Sequence, residues 1–141
     1  MGCGAYFAVR SAAPAGSRSP WEEGLPPRIG EPSSYASPDT PAGCSEARCD
    51  GAGRAALSIL NSGRSELEIG VDFALETERQ GVWYTLLPYR KEMLWPAVAR
   101  VIPAGESISA EYDLTAWGRL EAGRYRLILS SGLLASEFQI E

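Results

Sequence analysis

The stretch ELEIGVDFALE, residues 66–76, puts an apolar side chain at every second position: Leu67, Ile69, Val71, Phe73 and Leu75. Glu66, Glu68, Gly70, Asp72, Ala74 and Glu76 fill the places between them. Successive residues of a strand point to opposite faces, whereas a helix repeats about every 3.6 residues. The stretch therefore predicts a strand with one face in a core and the other in water. Its carboxylates read as the solvated face. A calcium site would need roughly six to eight oxygens converging from several loops.

The same period runs outward in both directions. Leu57, Ile59 and Asn61 alternate before the turn-like Asn61-Ser62-Gly63. Arg79-Gln80-Gly81 reads as a hairpin turn into a strand from Val82 to Leu87, which Pro88 stops. Trp95 to Ile102 is apolar but interrupted by Pro96, which suits an edge strand. After the turn Pro103-Ala104-Gly105-Glu106, Ile108, Ala110, Tyr112 and Leu114 alternate again. Glu121-Ala122-Gly123 leads into a strand from Arg124 to Leu129, and a last strand ends near Phe138 and Ile140. Thr115 to Leu120 alone has the look of a helical turn. About seven short strands at such spacing predict an all-β antiparallel sandwich.

The first 53 residues are different in kind. They hold seven of the ten prolines and eight of the fifteen glycines, but only Val9, Leu25 and Ile29 as bulky aliphatics. The remaining 88 residues carry 23 Val, Ile and Leu. The expected division is a largely disordered tail or tether over 1–53 and a folded domain over 54–141.

Composition excludes several functions. The chain has no histidine, so the commonest general base and metal ligand is missing. Thirteen basic against eighteen acidic residues give a net charge of −5, which argues against nucleic acid. No run reaches the roughly 18 apolar residues of a membrane-spanning helix. Asp50-Gly51-Ala52-Gly53 lacks the Lys-Ser/Thr of a phosphate loop. No catalytic residue, cofactor or metal site is expected.

Leu120, Gly123 and Tyr125 have the spacing of a tyrosine corner, in which a buried ring sends its hydroxyl back to the backbone a few residues upstream. Trp83, early on its strand, is expected to be the core tryptophan. The longest irregular run, 87–96, is the expected contact loop, with Tyr89, Arg90, Lys91 and Trp95 as its contact residues. Cys44 and Cys49 could close a short disulfide loop in an oxidising compartment or stay as free thiols.

Gly81-Val82-Trp83-Tyr84, Ile102-Pro103-Ala104-Gly105, Asp113-Leu114, Gly118, Leu120, Gly123, Tyr125-Arg126 and Glu137-Phe138 together resemble a bacterial immunoglobulin-like domain of uncharacterised envelope proteins and lipoproteins. The resemblance covers about Ala55 to Glu141. It implies an immunoglobulin-like sandwich, an extracytoplasmic setting in the cell envelope, and a non-catalytic spacer or protein-interaction module whose partner and oligomeric state are unknown. The alternatives are a proteinase-inhibitor-like binding domain and a carbohydrate-binding sandwich using exposed aromatics. Gly2-Cys3-Gly4 resembles the end of a bacterial lipobox, which implies a lipid anchor at Cys3, although no charged start and apolar run precede it.

Overall fold

The computed structural model describes residues 5–9 by backbone alone, and residues 18–90 and 93–141 in full. Twelve strands are described: β1 (Ala5–Val9), β2 (Arg28–Pro32), β3 (Ala42–Cys44), β4 (Arg48–Cys49), β5 (Arg54–Asn61), β6 (Leu67–Gly70), β7 (Phe73–Arg79), β8 (Val82–Leu87), β9 (Ala99–Ile102), β10 (Ser107–Asp113), β11 (Gly123–Leu129) and β12 (Leu134–Ile140). One sheet runs β1-β10-β5-β3, with β4 also on β5, and the facing sheet runs β12-β11-β7-β8-β2. β6 and β9 form a separate pair. Apart from β1, which lies parallel on β10, the pairings are antiparallel. The chain is an all-β sandwich.

Alternation in sequence becomes alternation in burial. Along β5 the pattern is strictly exposed then buried, with Ala55, Leu57, Ile59 and Asn61 inward. Asn61 is fully buried and satisfied: its amide donates to Ser65 and Ile102 carbonyls at 2.8 and 2.9 Å, and its carbonyl accepts from Gly63 N–H. Phe73 meets Tyr112, Trp117 and Trp95 at centroid distances of 5.1, 5.1 and 5.0 Å, so this aromatic cluster runs from the core to the surface. Thr115–Trp117 forms one 3-10 turn, where a helical turn is expected from sequence.

The run 66–76 serves two sheets. Its first half, β6, pairs with β9, and at Val71–Asp72 the chain crosses so that β7 enters the facing sheet. Glu76, expected on a wet face, is only 3 % exposed. The reason lies in residues 33–35, which cover that face of β7.

From Arg18 the stretch expected as a tether is laid against the sandwich. Trp21 is buried, donates its indole N–H to Gly51 O at 3.2 Å, and lies under the Arg119 guanidinium. Leu25 O accepts from Arg119 N–H at 2.7 Å, so close to Gly118 that a Cβ there would lie 2.6 Å from that oxygen. Residues 42–49 bridge β5 and β12: Ser45 N–H donates to Ser58 O, Ala47 N–H donates to Glu137 O, and the Ser136 hydroxyl donates to Ser45 O at 2.7 Å. Scarcity of aliphatics does not prevent packing where one tryptophan and many backbone hydrogen bonds supply the attachment.

At the crossing into β11, Tyr125 is 2 % exposed and stacks on Phe138 at 5.5 Å. Its hydroxyl donates to Glu121 O at 2.7 Å, and Leu120 is buried beneath. Burial is the main cause that raises the Tyr125 pKa. Tyr125→Phe keeps the ring and removes its hydrogen bond to the backbone of the exposed Glu121, so it is expected to cost about 0.5–1.5 kcal/mol in urea denaturation. A variant as stable as the parent would show the hydrogen bond to be idle.

Candidate functional site

The outer face of the β12-β11-β7-β8-β2 sheet holds most of the charged and aromatic side chains that meet one another. Register puts Glu137, Arg126, Glu76 and Thr85 in one row across β12, β11, β7 and β8. Arg124, Glu78 and Trp83 form the next row. Cross-strand neighbours on one face interact directly, so charge pairing is decided by this register.

Arg126 is the hub. Its Nε donates to Glu76 Oε1 at 2.7 Å, and a terminal nitrogen lies equally close to the same oxygen. The Ser33 hydroxyl donates to Glu76 Oε2 at 2.5 Å and accepts from Arg126 at 3.3 Å. The guanidinium stands 4.3 Å from the Trp83 ring centroid and 5.1 Å from that of Tyr35, so it is held between two aromatic rings. Arg124 also lies over Trp83 and pairs with Glu137 nearer the solvent.

Beside this hub runs an open groove of about 620 Å³. Ala74 and Ile128 belong to its floor strands, while Tyr35 and Trp95 come from the 33–35 and 93–98 segments. Asp72 and Ser131 complete one end. Ser130 and Ser131 both take left-handed backbone, with φ of 49° and 54°, a conformation that costs a non-glycine residue energy. Asp72 holds them there: its carboxylate accepts from Ser131 N–H at 2.7 Å and from the Ser131 hydroxyl at 2.9 Å, and its carbonyl accepts from Ser130 N–H.

The residues singled out in the sequence are dispersed. Trp83 is a correction: it is half-buried on the outer face, because the parity of β8 puts it with Thr85 opposite Glu78, while Leu86 points inward. Trp117 and Trp21 are the buried tryptophans. Of the expected contact loop, Tyr89 is pinned, with its N–H donating to Ala116 O at 2.8 Å, its hydroxyl to Pro26 O, and Arg28 over its ring. Arg90 is half-buried. Trp95 is half-buried against Phe73 at the groove, and its neighbours Leu94 and Val98 are 77 % and 56 % exposed. Gly123 lies beside the Tyr125 ring. Lys91 and Cys3 lie outside the described residues. Arg126 and Tyr35 were not singled out in the sequence as site residues, and Asp72 and Glu76 were read there only as part of a solvated strand face. The signal for Arg126 was its place next to Tyr125, one step out of phase with the core.

A Cys44–Cys49 disulfide is also corrected. Cys44 pairs with Ile59 and Cys49 with Ala55, so four residues of β5, about 13 Å, separate them. A disulfide needs Cα atoms about 4.4–6.8 Å apart, and both thiols are free. Each packs at the core edge, where burial raises the Cys44 pKa and pushes Cys49 up to about 11. A proton held more tightly in the folded state gives stability that is full below the unfolded thiol pKa. That contribution is lost as pH rises from about 9 toward 11. Iodoacetamide at pH 7 is expected to label both thiols far more slowly than in urea, and diamide to leave their masses unlinked. Rapid native labelling or an intramolecular disulfide would contradict this placement.

Among the described residues no cluster of three or more Cys, Asp or Glu could hold a metal ion, and no helix is long and apolar enough to cross a membrane. Residues 45–139, well over half of the chain, match the family model described as a bacterial Ig-like domain. No curated protein matches the chain.

Proposed function

The chain belongs to the bacterial Ig-like domain family, and from that premise we propose that it is a non-catalytic module of the cell envelope that works by binding protein. The family match over 45–139 is the observation that carries the reading, since domains of this family commonly lie outside the cytoplasm. The outer face supports it. Glu76 is committed to Arg126 and Ser33, and Glu137 to Arg124, so these charges hold a surface in shape. A rigid sandwich that carries an irregular segment with Leu94 and Val98 exposed suits recognition.

The test follows an epitope-tagged chain in cells. Expected are its recovery with the envelope fraction and its digestion by proteinase added to intact cells. A photo-crosslinking residue at position 94 should give a discrete protein adduct. A chain that stays protected with cytoplasmic markers overturns the envelope reading, and one that is accessible but forms no adduct is a spacer.

A further inference from the structure

The outer face shows how it treats a cation. At Arg126 a guanidinium lies between Tyr35 and Trp83 and ends on the Glu76 carboxylate. The adjacent groove offers the same three components: Tyr35 and Trp95 as rings and Asp72 as carboxylate. Ala74, small and exposed on β7, leaves space between them. Trp95 packs on Phe73, which lowers the ordering its ring needs when a ligand arrives.

Asp72 is not charge-paired among the described residues, unlike Glu76 and Glu137. Its two contacts to Ser131 use one oxygen, Oδ2. The left-handed Ser130-Ser131 turn thereby orients the carboxylate at the groove end, and strained backbone of this kind gathers at binding sites. The whole chain is acidic, which favours approach of a basic partner.

We infer that this groove receives an arginine side chain of a partner protein, its guanidinium against Trp95 and Tyr35 and its charge on Asp72. A neutral sugar would use the rings and donate hydroxyls to Asp72, but it brings no positive charge to pair with the carboxylate. The inference deepens the protein-binding reading and rests on it for the kind of ligand.

The experiment titrates the isotope-labelled full chain with the blocked tripeptide Ac-Ala-Arg-Ala-NH2 and follows amide and indole resonances. Ac-Ala-Gln-Ala-NH2 and maltose are the other arms. The arginine peptide should shift Ala74, Ile128, Ser131 and the Trp95 indole, and the glutamine peptide should bind roughly tenfold more weakly. Asp72→Asn should lose about the same factor. Ala74→Lys, which places an ammonium in the groove from an exposed position, should abolish the shifts and leave the melting temperature unchanged. Equal response to both peptides, shifts away from the groove, a response to maltose alone, or no response to the arginine peptide overturns the inference. Cell-surface exposure without arginine binding removes this inference and leaves the envelope reading standing; arginine binding by a cytoplasmic chain does the reverse.

Discussion

Arg126→Ala is expected to lower the unfolding free energy by about 3–5 kcal/mol, whereas Arg124→Ala, two residues away on the same strand, should cost about 0–1 kcal/mol. The two arginines make the same kinds of contact, with a carboxylate and the Trp83 ring. They differ in burial. Side chains of the Arg126–Glu76 pair are 13 % and 4 % exposed, and those of the Arg124–Glu137 pair 53 % and 48 %. Truncating Arg126 leaves the Glu76 carboxylate inside, with Ser33 as its remaining hydrogen-bond donor from a side chain. Truncating Arg124 returns Glu137 to water. For a domain of this size the first loss amounts to a melting-temperature drop of about 10–20 °C. Removing both buried charges, by Arg126→Met with Glu76→Leu, should recover most of it, because a buried pair is costly mainly when broken. Urea denaturation of the four proteins decides the matter. Equal losses at Arg124 and Arg126 would mean that burial does not govern these pairs.

The contrast marks how far the sequence can be read. Period-two alternation placed β5, β7 and β10, because each buries one face and burial is written directly into residue type, while the turns at Arg79-Gln80-Gly81 and Glu121-Ala122-Gly123 placed β8 and β11. The spacing of Leu120 and Tyr125 was legible for the same reason: it depends on residues close in sequence. Glu76 and Trp83 were misplaced because their surroundings come from far away. Glu76 is dry because Ser33 and Tyr35, some 40 residues earlier, lie over it, and no local pattern encodes that cover. Trp83 is large and apolar, which suggests a core, but its parity on β8 puts it with the arginines of β11. The groove was invisible for a related reason. Tyr35, Asp72, Ala74 and Trp95 come from four separate places in the chain, and only the crossing at Val71–Asp72 brings Asp72 to the end of the outer face.

A chain beginning at Arg54 should fail to fold cooperatively, although it contains every strand that the alternation predicted. It would lack β1, β2, β3 and β4, so β10 would lose its parallel partner, β5 the partners of Ala55, Ile59 and Asn61, and β8 the partner of Leu86. It would also lack Trp21, and the loss of so large a buried side chain costs about 3–5 kcal/mol. The buried Ser136 hydroxyl would lose its acceptor, Ser45 O, and Glu76 would lose the Ser33 donor; each such loss costs about 1–3 kcal/mol. Together these reach the roughly 5–15 kcal/mol that holds a whole domain. A chain beginning at Ser45, where the family match starts, keeps β4 and the Ser45 carbonyl but not Trp21. It should fold with reduced stability. Thermal circular dichroism and amide dispersion of the full, Ser45 and Arg54 chains should therefore fall in that order. If the Arg54 chain gives a dispersed spectrum and melts within a few degrees of the full protein, residues 18–53 are a passenger on the sandwich, as their composition first implied. If the order holds, the unit that folds is set by where backbone hydrogen bonds and one tryptophan attach, well ahead of the point where aliphatic residues become frequent.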